Sequence, residues 1–160
     1  LWSACAFEHL GSLQAGIRFV IESLDCLRPG GIAVHTTEIN IGSNTKTIET
    51  GDNVIYRRHD LEALDRQLRM NGAAIEELNF EAGAGDADID YDYPPYYRHG
   101  RQHVKLLIGG HLSTSIILIV RKGSKPLIKS ASETQDFSLR RRLAAAWRAI
   151  SNVLATSGQL

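Results

Sequence analysis

The chain is 160 residues long, with 43% hydrophobic and 22% charged residues, and its 18 basic and 18 acidic side chains give a formal net charge of zero. These values are typical of a globular domain with a sizeable core, or of part of a larger one. The neutral balance argues against a nucleic-acid binder, which needs a net basic face, and no apolar run approaches the ~18 residues that span a bilayer.

Cysteine usage and the first residues indicate the compartment. Cys5 and Cys26 are too few for a disulfide framework or a metal knuckle, so we expect a reducing, cytoplasmic setting. The opening residues lack the basic flank of a signal peptide.

Because Leu1-Trp2 is typical of the end of a strand, we expect the natural amino terminus to lie upstream and this sequence to be a fragment.

The first 38 residues predict a strand, a loop, a crossover helix and a second strand. The first strand ends near Ser3, and the loop after it carries a carboxylate and an imidazole, Glu8 and His9. Such units place their ligands at the carboxyl ends of parallel strands. We therefore expect a binding site at that edge of the sheet.

The helix between these strands has clear start and stop signals. Ser12 is a predicted N-cap, and apolar residues recur after it at helical spacing. Pro29 prevents the helix from continuing, and Gly30-Gly31 provides the dihedral angles needed to turn back into the sheet. The short apolar run over residues 32–36 predicts a strand covered on both faces.

Residues 40–52 are rich in Gly, Ser, Thr and Asn and show no clean period. A loop of that length inside a domain is usually functional or mobile. We expect either a lid over the site or a surface excursion.

A second helix and strand follow this loop. Asp60 is predicted to cap the helix, which ends at Asn71-Gly72. The next strand is predicted from an apolar series, Ile75, Leu78 and Phe80.

An acidic, glycine-rich insertion spans residues 81–92. Gly83-Ala84-Gly85-Asp86 imitates a cofactor loop, but we expect it to be a turn that opens no helix. The aromatic and imidazole cluster after it could stack on a sugar ring or another flat acceptor, or simply cover the end of the sheet. The cluster comprises Tyr91, Tyr93, Tyr96, Tyr97, His99 and His103.

The last segments are a short apolar stretch over residues 103–108, a strong strand over 113–122, a linker over 123–136 and an amphipathic helix over 137–155. Arginines surround the apolar stripe of this helix. It could lie on a membrane surface or a partner, but packing on its own domain is the more common arrangement. We expect it to contact a second copy of the chain or an adjoining domain.

Two motifs resemble those of the class I S-adenosylmethionine-dependent methyltransferases. Residues 3–9 resemble the S-x-x-x-x-E-H that follows the family's fourth strand, and residues 27–31 resemble the L-x-P-G-G that introduces its fifth. The resemblance covers roughly residues 1–122. It implies an α/β, Rossmann-like fold represented by its back half, namely strands four to seven with their crossover helices. In this fold the seventh strand runs antiparallel between strands five and six.

The resemblance also implies a cofactor and its contacts. The backbone of Ser3, Ala4 and Cys5 would line the methionine end of S-adenosylmethionine, where small residues suit a close approach. Small residues also pack helices on sheets, which is the structural alternative. The family's glycine-rich loop would lie upstream, since no G-x-G-x-G follows a strand in this sequence.

A narrower resemblance concerns acceptor activation. The cyclopropane fatty-acid synthases carry F-E-H-F-G and a later L-H-T, which residues 7–11 and 34–36 resemble, with Leu10 in place of phenylalanine. In those enzymes the glutamate and the histidine of L-H-T hold a bicarbonate base. We transfer these roles to Glu8 and His35 but not the lipid substrate, because the family's helical lid is lacking. A buried, hydrogen-bonded core histidine is an equally good explanation of His35.

The remaining candidates concern the acceptor and a metal. Glu38, just past the predicted strand, would contact the acceptor or would only be solvated, and Tyr96 and His103 are predicted to join it. The ubiquinone-pathway O-methyltransferases carry a metal-binding E-x-x-E-H here. Because this chain has Cys5 at the first position, and hard cations prefer oxygen ligands, we predict no metal site.

The sequence therefore predicts S-adenosylmethionine-dependent methyl transfer to a small-molecule, glycan or lipid-linked acceptor. We expect the present residues alone to be inactive. The alternative is a non-catalytic, methyltransferase-like docking or interaction module, with residues 137–154 as its interface.

Overall fold

A computed structural model of the chain describes residues 1–101 and 103–124. These residues all belong to one compact unit, 1–126. The predicted helix over 137–155 and all of the predicted linker after Ser124 lie outside the described residues. Of the described helices, none is long and apolar enough to cross a membrane.

The fold is α/β, with a mixed sheet at its centre. In the described part of the chain the strands are β1 (Trp2–Ser3), β2 (Gly11–Ser12), β3 (Ile32–Asn40), β4 (Thr50–Gly51), β5 (Ala73–Ile75), β6 (Lys105–Ile108) and β7 (His111–Lys122). The main sheet has the order β1-β3-β7-β5, and β6 forms a hairpin with the start of β7. Strands β2 and β4 pair separately.

The direction of the strands agrees with the sequence prediction. β1 and β3 are parallel, whereas β7 runs antiparallel to both of its neighbours, β3 and β5. The predicted antiparallel direction of the strand over residues 113–122, which is β7 between β3 and β5, is therefore confirmed. β3 is longer than the predicted 32–36, because it pairs with β7 along its whole length, from Ile32 opposite Arg121 to Asn40 opposite Ser113.

Two helices cover one face of this sheet. They are α1 (Leu13–Ser23) and α2 (Arg58–Met70), and their buried residues join those of β3 and β7 in one hydrophobic core. The alternation of a strand sends Ala33, His35, Thr37 and Ile39 of β3 into this buried face. Glu38 and its alternate neighbours point to the opposite face.

The N-cap prediction for α1 is confirmed. The Ser12 hydroxyl oxygen accepts a hydrogen bond from the backbone N–H of Ala15 at 3.1 Å, which satisfies one of the free donors of the first turn.

Replacing Ser12 with Ala is expected to lower the free energy of unfolding by about 1 kcal/mol, because the Ala15 N–H loses its acceptor. Urea denaturation measures the change. Ser12→Asp keeps an oxygen at the cap, so it should restore most of the loss. If both variants are equally unstable, the cap hydrogen bond does not stabilise α1.

The start of α2 differs from the prediction. The helix begins at Arg58, so Asp60 is its third residue and not its cap. The Asp60 carboxylate instead accepts hydrogen bonds from the backbone N–H of Arg57 at 2.9 Å and from its guanidinium at 2.8 Å. An acidic residue three positions into a helix can therefore give the same sequence signal as a cap.

Two further predictions were wrong in detail. β5 ends at Ile75, and Leu78 and Phe80 pack against the core from an irregular segment. The sequence around Gly85 does open a helix, the four-residue α3 (Asp86–Ile89), because the Asp88 carboxylate accepts a hydrogen bond from the Gly85 N–H at 3.1 Å.

The turn into β3 requires Gly30. This residue has a φ of +74°, and its N–H donates to the carbonyl of Gly123 at 3.2 Å. Gly31 does not have a positive φ, but a Cβ atom there would lie 2.8 Å from the Arg28 carbonyl oxygen. The prediction that one of the two glycines adopts the left-handed region is confirmed for Gly30.

Replacing Gly30 with Ala is expected to lower the free energy of unfolding by about 1–2 kcal/mol, since an L-residue is strained in the left-handed region. The new Cβ would meet only Ser124 Oγ, at 3.8 Å, so the loss would report the backbone and not a clash. Gly42→Ala is the matched control, because that glycine has an ordinary φ and a Cβ there makes only van der Waals contacts. Equal melting temperatures for the two variants would contradict the assignment of strain to Gly30.

Candidate functional site

The candidate site lies at the carboxyl ends of β1 and β3. Because these strands are parallel, the loops that follow them meet at one edge of the sheet. The predicted residues divide between the two faces. His35 is on the helix-covered face and Glu8 hydrogen-bonds there, while Glu38 is on the other.

His35 is completely buried and both of its ring nitrogens have partners. Ser3 Oγ lies 2.7 Å from Nδ1, and Ser23 Oγ lies 3.4 Å from Nε2. The Ser23 hydroxyl already donates to the carbonyl of Val20 at 2.6 Å, so its oxygen accepts from Nε2–H and Ser3 donates to Nδ1. Burial lowers the pKa of His35, which favours this neutral form. The geometry is that of a core histidine.

Glu8 is also buried, with 1% of its surface exposed, in the 3₁₀ turn Phe7–His9. Its Oε2 accepts a hydrogen bond from Thr37 Oγ1 at 3.1 Å. Thr37 and His35 lie on the same face of β3, but among the described residues no hydrogen bond joins Glu8 to His35. Their action as one catalytic unit therefore stays a prediction.

A close approach to α1 positions the turn that carries Glu8. A Cβ on Gly16 would lie 2.5 Å from the Phe7 carbonyl oxygen and 1.9 Å from the Tyr56 hydroxyl. Only glycine leaves room there. The sequence prediction missed this role, since a lone glycine in a helical pattern does not by itself reveal what approaches it.

Residues 3–5 leave β1 towards the candidate site. The Ser3 hydroxyl donates a hydrogen bond to His35, while Ala4 and Cys5 are exposed. Cys5 has a φ of +44°, and its N–H is held by the carbonyl and hydroxyl oxygens of Thr36, at 3.2 and 3.0 Å. A non-glycine residue held in the left-handed region is a feature that clusters at functional sites. Small, exposed residues with a fixed backbone fit the predicted close approach of a cofactor.

On the opposite face, Glu38 lies inside β3 and not past its end as predicted. Its Oε1 accepts from Ser115 Oγ at 3.3 Å, whereas Oε2 is buried and has no hydrogen-bond partner among the described residues. Burial raises the pKa of this carboxyl group. The Ser113 hydroxyl, which donates to the Leu106 carbonyl at 3.4 Å, also lies near this carboxyl group. Buried polar atoms normally have a partner, so Oε2 is the described group on this face that lacks a hydrogen bond of ordinary geometry.

Asp92 organises the insertion beside Glu38. Its buried carboxylate accepts the backbone N–H groups of Tyr93 and Tyr97, both at 2.9 Å, and lies 2.8 Å from His103 Nδ1. The Tyr97 hydrogen bond, followed by that of His103, lowers the pKa of Asp92. Because an ionised carboxylate can only accept, the proton must be on His103 Nδ1. His103 Nε2 has no partner in the described part of the chain.

Two tyrosine rings fix the His103 imidazole. Tyr97 stacks on it with 3.9 Å between ring centroids, and Tyr96 meets it edge-on at 5.5 Å. The Tyr96 hydroxyl donates to the Leu107 carbonyl at 2.9 Å. Burial, followed by the charges of Asp92 and Glu38, raises the pKa of Tyr96.

The structure thus brings Tyr96 and His103 together, with 5.5 Å between their ring centroids, and places Glu38 beside the stretch of β7 that also pairs with β6. Tyr93 stacks on His99 beside them, at 4.1 Å. The sequence prediction missed Asp92, although an acidic residue inside Tyr91-Asp92-Tyr93-Pro94-Pro95 was a usable signal for an anchor of the cluster.

The loop over residues 40–52 is tied down at several points. The Asn40 side chain accepts from the N–H groups of Gly42 and Ser43, both at 2.9 Å. The Arg57 guanidinium donates to the Thr45 carbonyl at 3.0 Å and pairs with Glu49 at 2.8 Å. These contacts favour a surface excursion over a lid.

A cavity of about 520 Å³ lies elsewhere, at the amino ends of the parallel strands, between Ala73 of β5 and Lys122 of β7. Its arginines are already paired, Arg69 with Asp65 and Arg121 with Glu76. Since ligands of open α/β sheets bind at the carboxyl ends of the strands, this cavity is a weaker candidate than the cluster at the other edge.

No protein-family model matches the sequence, and no curated protein matches it. Within residues 1–101 and 103–124, no group of three His, Cys, Asp or Glu side chains is arranged to hold a metal ion. The features of the chain that bear on its function are therefore the strand topology and the geometry at the carboxyl edge of the sheet.

Proposed function

We propose that the protein is an S-adenosylmethionine-dependent methyltransferase acting on a small-molecule, glycan or lipid-linked acceptor. The observation that supports this most is the sheet, in which the antiparallel β7 separates β3 from β5. With β1 as the fourth strand, the order is four, five, seven, six. This is the order that the resemblance to the class I methyltransferases implies for the back half of a Rossmann-like domain.

The proposed cofactor site is the segment from Ser3 to Cys5. When bound, S-adenosylmethionine supplies an electrophilic methyl group on a sulfonium. The chain contributes exposed small residues and the Cys5 N–H, which Thr36 holds in place. The Ser3–His35 hydrogen bond fixes the end of β1 from the helix-covered face of the sheet. His35 would then act as a positioning residue, while Glu8 would contribute to acceptor activation from the neighbouring loop.

Calorimetric titration of the full-length protein with S-adenosylmethionine tests the proposal. We expect saturable binding in the micromolar range, in keeping with the usual affinity of enzymes for their substrates. Ala4→Arg should abolish the heat of binding without lowering the melting temperature, because Ala4 is exposed and its larger side chain would fill the site. Ala84→Arg, another exposed position, is the matched control and should bind normally.

The docking-module alternative predicts a different result. Full-length protein would give no heat with S-adenosylmethionine, and the Ala4→Arg variant would be indistinguishable from the unmodified chain. The interface assigned to that alternative, residues 137–154, lies outside the described residues.

A further inference from the structure

We propose that His103 is the general base of the methyl transfer, held by Asp92, and that Glu38 binds a second hydroxyl group of the same acceptor. The acceptor would then be a neutral molecule with adjacent hydroxyl groups, such as a sugar ring. This inference rests on the proposed function and deepens it.

The first support is the state of the His103 ring. Asp92 holds Nδ1–H at 2.8 Å, so in the neutral imidazole the lone pair is on Nε2. A carboxylate that orients an imidazole in this way fixes its tautomer and its ring orientation. The His103 side chain is 28% exposed, whereas Asp92 is completely buried. A ligand can therefore reach the ring but not its anchor.

The second support is the unsatisfied oxygen of Glu38. Oε1 accepts from Ser115 and the Ser113 hydroxyl lies nearby, but no hydrogen bond of ordinary geometry reaches the buried Oε2 from the described residues. His103 Nε2 and Glu38 Oε2 are both proton acceptors, and both residues lie beside the same stretch of β7, since Glu38 pairs with Ser115 and β6, which begins two residues after His103, pairs Lys105 with Thr114. A single hydroxyl has one proton and cannot donate to both. Two neighbouring hydroxyl groups on one molecule can.

The third support is the aromatic surface at the same place. Tyr97 stacks on His103 and has 75% of its surface exposed. One face of Tyr97 is covered by His103, so it is the exposed edge of the tyrosine ring that can contact the C–H groups of a pyranose ring whose hydroxyl groups reach the imidazole. This combination favours a sugar over an acyclic polyol.

An acceptor oxygen forms a bond to the sulfonium methyl carbon, the carbon–sulfur bond breaks with its electron pair going to sulfur, and the hydroxyl proton passes to His103 Nε2. The imidazolium, stabilised by the Asp92 carboxylate, then releases this proton to water. Glu38 binds the neighbouring hydroxyl and does not change its protonation state.

The test uses the methyl α-glycosides of glucose, galactose, mannose and rhamnose as probes, with cyclohexanol as a control that carries one hydroxyl. Two readouts are taken on the full-length protein. Long-range ¹H–¹⁵N spectra report which His103 nitrogen is protonated and whether a probe perturbs Nε2, and mass spectrometry reports methylation of the probe. S-adenosylmethionine binding is measured separately by calorimetry.

We expect His103 to be protonated on Nδ1, at least one glycoside to perturb Nε2 and be methylated, and cyclohexanol to do neither. His103→Gln should reduce turnover by about 10²–10⁴-fold without changing S-adenosylmethionine affinity. Glu38→Gln should mainly raise KM for the glycoside. His59→Gln changes a half-buried histidine on α2 that lies outside the cluster; it is the matched control and should leave turnover unchanged.

Asp92→Ala supplies a result that a purely structural role would not give. Without the carboxylate the Nδ1–H form of His103 loses its acceptor, so the Nε2–H tautomer should appear in the spectra while the melting temperature reports whether the insertion stays folded. A folded Asp92→Ala variant with an unchanged tautomer overturns the positioning role of Asp92.

The remaining outcomes separate the two proposals. If the protein binds S-adenosylmethionine but no glycoside perturbs His103 or is methylated, or if His103→Gln keeps full turnover, this inference is wrong and the proposed function stands. If S-adenosylmethionine does not bind, the proposed function itself fails.

Discussion

Replacing His35 with Asn is expected to lower the free energy of unfolding by about 2–3 kcal/mol at pH 8. The imidazole is completely buried, and the smaller side chain would leave a cavity and remove the partner of the Ser3 hydroxyl. Ser23 would be less affected, because its hydroxyl still donates to the Val20 carbonyl. Urea denaturation of both proteins measures the difference.

The same substitution should remove a pH dependence of stability. Burial lowers the pKa of His35 in the folded state below its ordinary value of about 6.5. At pH values below about 6.5 the unfolded chain binds a proton at His35 that the folded chain does not bind. The free energy of unfolding therefore falls as the pH is lowered. The stabilisation by His35 is therefore fully present above about pH 6.5 and declines below it, by at most ~1.4 kcal/mol per pH unit for one proton.

Ser23→Ala is the matched control for this pair of measurements. It removes one hydrogen-bond partner of His35 but keeps the titrating ring, so it should lower stability without removing the pH dependence. The difference between the unmodified chain and His35→Asn should shrink between pH 8 and pH 5. A constant difference would show that His35 is not held in its neutral form.

Activity separates this structural role from a catalytic one. If His35 positions the cofactor segment through Ser3, His35→Asn should raise KM for S-adenosylmethionine but keep kcat per folded molecule at temperatures where the variant is folded. A fall in turnover of ~10²-fold in fully folded protein would instead return His35 to the role of an acid–base group.

The parts of the fold that the sequence predicted correctly are those with local signals. Ser12 precedes a helical apolar stripe, Pro29-Gly30 blocks the helix and supplies a positive φ, and the run over residues 113–122 has unbroken strand character. Each signal acts through the few residues around it. A single sequence is enough to read such features.

The parts that it did not predict depend on contacts between distant residues. β3 extends to Asn40 only because β7 supplies partners that far. Gly16 has to be glycine because Phe7 and Tyr56 approach it. A histidine in a strand-like segment does not by itself reveal whether its ring is buried. The sequence therefore did not decide between a catalytic and a structural role for His35.

The candidate site shows the same division. Glu38, Tyr96 and His103 were predicted from their residue types. In the structure Asp92 hydrogen-bonds His103, which packs against Tyr96, and nothing in the sequence pattern had identified Asp92 as the residue that holds this cluster. Its importance comes from three hydrogen bonds that converge on one buried carboxylate, which only the folded chain displays.

The last prediction concerns Glu8. Its carboxylate is buried at the carboxyl edge of the sheet, and its charge acts on both Glu38 and Tyr56, so it is part of the electrostatic environment of the site. Glu8→Gln keeps the shape of the side chain and leaves an oxygen that can accept from Thr37. If the proposed methyl transfer takes place, turnover is expected to fall by ~10²-fold, S-adenosylmethionine affinity to stay nearly unchanged, and the melting temperature to change little.

Thr37→Val is the matched variant, because it removes the hydrogen bond to Glu8 Oε2 but leaves the carboxylate in place. It should retain most of the turnover if the charge of Glu8 is what matters, and lose as much as Glu8→Gln if the orientation of the carboxylate is decisive. If Glu8→Gln instead lowers the melting temperature and keeps full turnover per folded molecule, Glu8 is a structural residue and acceptor activation rests with the groups on the opposite face of the sheet.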